Sequence, residues 1–476
     1  MRQLSALDAQ FLNVESRGTV AHIAGLAILD PTGTPGGRLT LDDLMELMRR
    51  RIPMIRQFRW RLAEVPLGLD HPYWIEDPDF DLEYHVREIA LPRPGDDRQL
   101  ADQVARLHQR PLDRARPLWE MYLVQGLEGG RIALYAKIHH ALIDGVAAAQ
   151  IVAALLDLEP EPRETGVVDD WRPERPPSAW SLLAGAAARA AVHPLRTTGG
   201  LLRAVPYLDT FPVVGRVPGI GAATGALRTA ARTGQVPPQA NLSAPRTPFN
   251  GPITRHRRVA FGSLSLNEVK KVRHALEASV NDVVMALCAT ALRRWLIDHD
   301  ALPDRPLVAA VPVSTRALDD DTHGNQVSAM FTPLPTHLAD PRARVEAMRD
   351  TMTIAKRRLV ATPERWLQEL TAVVPPAFGG LTAWALFRLA PSAMPPINLV
   401  ISNVAGPQFP LYLCRAEVLA YHPLSVVSDL SGGLNITVFS YNGNLDIGLT
   451  ACREMVPDVW NLIGYFADAL EELKGL

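Results

Sequence analysis

Between residues 119 and 158 the apolar rhythm of the chain changes three times, and this stretch restricts the fold more than any other. Two short apolar runs, at 119–127 and 131–138, flank Glu128-Gly129-Gly130. Runs of that length around a glycine turn predict a β-hairpin. The second run, RIALYAKI, leads directly into His139-His140-Ala141-Leu142-Ile143-Asp144-Gly145, and VAAAQIVAALLDL then takes up helical spacing. A buried strand, a polar break and a helix therefore place two imidazoles and a carboxylate at the end of a sheet.

The flanking sequence extends this pattern. Residues 20–29 read as a buried strand, Thr40 caps a helix over 39–51, and a second helix fits 97–109. Residues 158–180 are rich in proline and charge and read as a linker. Beyond it, RHRRVAFG predicts a strand, Ser265 to Glu268 a capping box, 279–298 a long helix and 306–314 another strand. LNITVFSY and NLDIGLTA around Asn442-Gly443 predict a hairpin, and 457–473 a last helix. Strands and helices mix without strict alternation, so mixed sheets in layered α/β domains are expected. With 476 residues, more than one core is expected. The expected division is 1–160, a linker at 161–250, and 251–476.

A net charge of −2 argues against a nucleic-acid protein. Three cysteines, Cys288, Cys414 and Cys452, form no CxxC pair, so neither a disulfide framework nor a zinc ribbon is expected, and a reducing compartment fits. The N-terminus lacks a signal-like apolar run, and no stretch of 18 apolar residues is present. A cytoplasmic protein with peripheral membrane contact is expected.

The HHALIDG segment carries the chemistry. Taking a proton from a weakly acidic group such as a hydroxyl needs a base active near neutral pH, and imidazole is the natural one. Asp144 across the turn is placed to orient the ring, and Gly145 lets the backbone turn. A metal site is disfavoured, because adjacent strand residues point to opposite faces and His139 and His140 do not converge. A serine hydrolase would need GxSxG, which is absent, and GIGAATG at 219–225 has the wrong spacing for a phosphate loop.

HHxxxDG resembles the signature of the CoA-dependent acyltransferase superfamily, which includes chloramphenicol acetyltransferase and peptide-synthetase condensation domains. Further segments resemble the bacterial wax ester synthase/diacylglycerol acyltransferase family: LSALDAQFL at 4–12, Pro117-Leu118-Trp119, Asn281-Asp282, VPVSTR at 311–316, GNQVSAMFTPLP at 324–335 and ISNVAGP at 401–407. Ala405 departs from the family's usual proline, which changes loop stiffness. The DFGWG element of plant alcohol acyltransferases is missing.

The resemblance implies two chloramphenicol-acetyltransferase-like α/β domains, with mixed sheets and flanking helices, meeting at an active-site channel. It implies acyl-CoA as co-substrate with no bound cofactor or metal, diacylglycerol or a long-chain alcohol as acceptor, and His140 as general base without a covalent intermediate. Asn281 is the expected oxyanion donor, with a helix cap as the competing role. Asp282, Asn403, Gly406 and Pro117-Leu118-Trp119 fall in substrate-binding blocks, although core packing also accounts for the last three. Arg316 is expected to pair with Asp144 or to be a surface charge. Two other readings are an acyltransferase for another alcohol, such as a glycolipid or polyketide, and a non-catalytic lipid-binding protein. Finally, residues 180–258 hold ten arginines against one acid, Asp209, a net charge of about +9. Within it, 180–233 reads either as a basic amphipathic contact to a membrane or lipid droplet or as a crossover packed between domains.

Overall fold

The structure is a computed structural model and describes residues 1–143, 145–167, 169, 171–173, 175–210, 212, 214–230, 236–237, 242–314, 327–363, 366–379 and 395–476. Its strands are β1 (Arg2–Gln3), β2 (His22–Asp30), β3 (Trp60–Ala63), β4 (Tyr73–Glu76), β5 (Val86–Ala90), β6 (Trp119–Gln125), β7 (Ile132–His139), β8 (Arg257–Ser265), β9 (Leu307–Ser314), β10 (Val327–Leu334), β11 (Leu399–Ala405), β12 (Tyr412–Leu413), β13 (Ala416–Leu424), β14 (Leu434–Tyr441) and β15 (Asn444–Cys452). Its helices are α1 (Ala6–Asn13), α2 (Leu41–Arg51), α3 (Leu82–His85), α4 (Asp97–His108), α5 (Gly145–Leu155), α6 (Ala179–Ala204), α7 (Ile220–Ala230), α8 (Leu266–Ala275), α9 (Val280–Asp298), α10 (Pro341–Ala361), α11 (Trp366–Thr371) and α12 (Trp460–Lys474).

Two six-stranded mixed sheets organise the molecule, in the orders β12-β13-β2-β7-β6-β5 and β10-β9-β11-β14-β15-β8. A small sheet, β1-β4-β3, lies beside them. In the first sheet only β5 and β6 run parallel. In the second, β11 runs parallel to both β9 and β14. The 119–138 hairpin forms as expected, with Trp119 opposite Ile138. The β14–β15 hairpin also forms, closing at Tyr441 opposite Asn444.

Each sheet has its own core. Ala27, Leu29, Leu134 and Ile138 on one face of the first sheet pack with Leu44 and Met48 of α2. On the opposite face, Leu26, Ile28, Ala133 and Tyr135 pack with Leu100 and Val104 of α4 and with Val259 and Phe261 of β8. The second sheet is backed by α9, which is buried continuously from Asp282 to Leu292. A helix apolar on all sides belongs inside a core, and α9 is enclosed by α10 and α12. Its start is set by Ser279 and Asp282, which form a reciprocal capping box.

The sheets do not follow the expected boundary at 250/251. The second half of the chain sends β12 and β13 into the first sheet, where β13 pairs antiparallel with β2. A bulge between Val418 and Ala420 breaks that pairing. Nearby, the Tyr421 amide donates instead to Asp446 Oδ2 of the second sheet at 2.7 Å, while Ser263 Oγ donates to Oδ1 at 2.6 Å. Burial pushes the Asp446 carboxyl up to about 6. At Gly448 a Cβ would lie 1.8 Å from the Pro423 carbonyl oxygen, so β15 reaches β13 only because that side chain is absent. Arg258 and Asp102 add an ion pair across the halves at 2.8 Å.

Candidate active site

β7 ends at His139, and the pleat separates the two imidazoles. His139 continues the face of Tyr135 and Lys137, and lies opposite His22 of β2. His140 follows the parity of Ala136 and Ile138, beyond the last strand residue. Its amide donates to the Ala21 carbonyl at 2.8 Å, extending the ladder by one bond. Its ring stacks on Phe11 of α1, with centroids 4.1 Å apart and planes 10° apart.

His139 is 1% exposed, with the Ala141 amide at one ring nitrogen and Glu15 near the other. Nδ1 accepts the Ala141 N–H at 3.0 Å. Nε2 lies 3.3 Å from Glu15 Oε1. Burial alone would raise the Glu15 carboxyl. The bond and charge of His139, the Ala21 amide and Arg114 outweigh burial and hold it at about 2. Glu15 accepts from the Ala21 N–H at 3.0 Å and from Arg114 at 2.9 Å. Ala21 thus binds Glu15 through its N–H and His140 through its carbonyl, which joins the supports of the two histidines.

Behind this strand end lies a buried polar layer. Burial, together with the nearby His108 and Lys137, lowers His22 well below its ordinary value. Burial and the Arg257 and Lys137 charges lower His108 to about 3. Both rings are therefore neutral at physiological pH. Lys137 pairs with Glu120 at 3.3 Å and donates to the Leu107 and Arg110 carbonyls.

Pro117-Leu118-Trp119 runs alongside. The Leu118 carbonyl accepts the His139 N–H at 2.9 Å. Leu118 and Trp119 are fully buried, and Trp119 stacks between Phe58 and His85 while its indole N–H donates to the Phe58 carbonyl. Packing thus accounts for these side chains, and substrate contact is not needed to explain them.

In the second half, Asn281 and Asn403 come together: the Asn403 amide Nδ2 donates to Asn281 Oδ1 at 3.0 Å. With its oxygen engaged, Asn281 has its NH₂ left to donate. The cap role falls to Ser279, and Asn281 is the second residue of the helix. Asp282, expected among substrate contacts, is buried; it accepts from the Ser279 amide at 3.0 Å and lies 3.8 Å from Lys356. Gly406 allows a close approach, since a Cβ there would lie 2.3 Å from the Phe439 ring. Asp144, Arg316 and residues 324–326 lie outside the described residues, as does the side chain of Arg196.

Sequence reasoning missed Phe11 and Glu15 as parts of this site. Phe11 sits in the LSALDAQFL block, so its segment was flagged but not its contact. Glu15 carried no local signal, because its side-chain partners Arg114 and His139 lie far along the chain. Among the described residues, no group of three His, Cys, Asp or Glu side chains could hold a metal. No described helix is by itself long and apolar enough to cross a membrane.

Comparison with known proteins agrees with this architecture. The wax ester synthase/diacylglycerol acyltransferase catalytic domain matches residues 4–284, and the WS/DGAT C-terminal domain matches residues 323–474. A Mycobacterium tuberculosis protein named as a diacylglycerol O-acyltransferase is 36% identical, over 99% of this chain and 90% of its own length. The O-acyltransferase WSD of Acinetobacter baylyi is 32% identical, over 100% of this chain and 98% of its own. The solved wax ester synthase/diacylglycerol acyltransferase of Marinobacter aquaeolei VT8 superposes with a TM-score of 0.69 at 30% identity, covering 100% of both chains. The first condensation domain of the CDA synthetase shares the fold, with a TM-score of 0.55 at 15% identity over 100% of this chain and 96% of its own. The chain belongs to the wax ester synthase/diacylglycerol acyltransferase family and is an acyltransferase.

Proposed function

We propose that the protein transfers a long-chain acyl group from acyl-CoA to diacylglycerol or a fatty alcohol, with His140 as the general base. The observation that carries this reading is the asymmetry of the histidine pair. His139 is buried, with the Ala141 amide on Nδ1 and Glu15 3.3 Å from Nε2. His140 stands beyond the strand end on the opposite face and is only partly buried.

The acceptor O–H gives its proton to His140, and its oxygen forms a bond to the thioester carbonyl carbon. The tetrahedral oxyanion collapses, the C–S bond breaks, and its electron pair leaves on sulfur. The imidazolium returns the proton to the thiolate, releasing ester and CoA–SH with the enzyme unchanged. The Asn281 NH₂, oriented by Asn403, is the proposed oxyanion donor. Asp144 is proposed to orient the imidazole, a role taken from its position in the motif.

The test offers purified protein palmitoyl-CoA with diacylglycerol, with hexadecanol and with buffer alone, and follows CoA release. The expected result is acceptor-dependent release, reduced at least about a hundredfold in His140→Ala. Near-normal turnover in a folded His140→Ala variant overturns the mechanism. Release that no acceptor stimulates overturns the acceptor class.

Water-insoluble acceptors require contact with a lipid surface, and we assign that contact to α6 and its neighbours. Leu182 and Ala186 of α6 pack on Tyr73 and Ile75 of the small sheet and on Val65 just beyond β3. Trp180 remains 81% and Leu202 71% exposed, with Leu67 at 90% on the turn Pro66–Gly68, which packs against α6. Trp180→Ser with Leu202→Ser is expected to reduce sedimentation with phosphatidylglycerol vesicles. Unchanged binding overturns this assignment.

A further inference from the structure

We propose that Phe11 is a positioning residue of the acyltransfer site: its ring fixes the plane in which the His140 imidazole meets the acceptor hydroxyl. The inference rests on His140 being the base. It begins from a property of histidine. The backbone of His140 is tied by its bond to the Ala21 carbonyl, but that bond does not set the ring. Rotation about the last side-chain torsion of histidine is broad, and a base that swings loses alignment with the proton it must take. A transfer of this kind is sensitive to misplacement of about 1 Å.

Phe11 supplies what the backbone cannot. The two rings are nearly parallel, 10° apart in plane with centroids at 4.1 Å, so rotation of the imidazole would separate the faces. Phe11 is itself only partly buried, unlike Leu7, Ala9 and Leu12 of the same helix. It borders the core of the first sheet, and its ring also faces His140.

A stack positions only if its own support is rigid, and α1 is held at three places. Ser5 and Asp8 form a reciprocal capping box at its start. Arg114 donates to the Leu12 carbonyl at 2.7 Å near its end. Gly379 lies under its last turn, where a Cβ would come within 2.9 Å of Asn13 Nδ2. Just beyond the helix, Glu15 binds the Ala21 amide and His139. Phe11 and the strand end thus share one frame: α1 carries the ring, and Glu15 just after α1 contacts His139, which precedes His140, and Ala21, which binds it across the ladder.

The experiment compares Phe11→Leu, Phe11→Met, Phe11→Tyr and His140→Ala with the parent protein, measuring kcat, KM for palmitoyl-CoA and for hexadecanol, and thermal midpoint. Phe11→Leu and Phe11→Met, which keep apolar volume but lack a ring, are expected to lower kcat about tenfold with both KM values within about twofold. Phe11→Tyr, which keeps the ring face, is expected to retain most of the turnover. Equal kcat in the ring and ringless variants overturns the inference, and so does a loss in Phe11→Tyr as large as that in Phe11→Leu. If Phe11→Leu fails to fold, Phe11→Met against Phe11→Tyr decides. His140→Ala separates the two layers: retained turnover there overturns the base assignment itself, whereas lost turnover there with an unaffected Phe11→Met overturns the positioning role alone.

Discussion

Removing the charge of Glu15 tests whether the clamp behind the histidine pair is electrostatic. The carboxylate accepts from the Ala21 amide and Arg114 and faces His139 Nε2. Its pKa falls from 4.5 to about 2 on folding: burial opposes the shift, and His139, Ala21 and Arg114 drive it. At about 1.4 kcal/mol per pH unit, this corresponds to roughly 3 kcal/mol of native-state stability at neutral pH. The Arg114 side chain is 40% exposed, so part of its share is screened by solvent. Glutamine also keeps an acceptor for the Ala21 amide. Glu15→Gln is therefore expected to cost about 2 kcal/mol. Because folding lowers this pKa, the stabilisation is fully present above pH 4.5 and is lost as pH falls toward 2. The gap between parent and variant in urea unfolding should thus be widest near pH 7 and narrow from about pH 5 downward. A gap that does not change with pH, or one below about 0.5 kcal/mol at pH 7, would refute the argument.

Asn281→Ala is expected to lower turnover by roughly 10²–10³ with little change in substrate binding; a normal turnover number with only reduced stability would return the residue to a helix-building role. Asn403→Ala should move kcat in the same direction by less, because it removes only the group that orients the Asn281 amide; a larger effect than Asn281→Ala would mean that Asn403 contacts substrate itself. The buried pair of Arg51 and Asp157, at 2.7 Å and 2.9 Å with both side chains almost wholly enclosed, should make Asp157→Ala cost about 3–5 kcal/mol by leaving a buried cation behind, readable as a lowered urea midpoint.

Most local structure was legible because its signals are local. Thr40 caps α2 and Ser265 caps α8, each accepting the backbone N–H three residues on. Gly129 and Asn442-Gly443 mark turns that form where expected. Strand alternation placed His139 and His140 on opposite faces, because the pleat acts on neighbouring residues. Features that depend on distant pairing were hidden. AEVLAYHPL at 416–424 has the composition of a strand, but no nearby residue says that its partner is β2. Phe11 shows nothing in its neighbours that points to His140. Capping could be assigned to the wrong member of the Ser279–Asp282 segment because Asn281 is itself a favourable cap residue. Only the helix start observed in the structure resolves which residue lies outside it.

The arginine-rich segment shows what counting charges along a chain leaves out. Between 180 and 258 only Asp209 opposes ten arginines, yet several of those arginines find acids or carbonyls from elsewhere. Arg189 pairs with Asp70, Arg203 with Glu369 and Arg258 with Asp102. Arg216 donates to the Leu242 carbonyl, and Arg257 to the Gly18 carbonyl. Asp209 itself is shared by Arg228 and Arg358. An arginine already facing a carboxylate adds little to the field felt by an anionic surface, since the two charges largely cancel beyond a Debye length of about 8–10 Å. The exposed Trp180 and Leu202 have no such internal compensation. Binding of this region to lipid should therefore depend more on apolar insertion than on net charge. In that case sedimentation with vesicles survives added salt and falls with the loss of Trp180 and Leu202, whereas a purely electrostatic contact would vanish at high salt and ignore both residues.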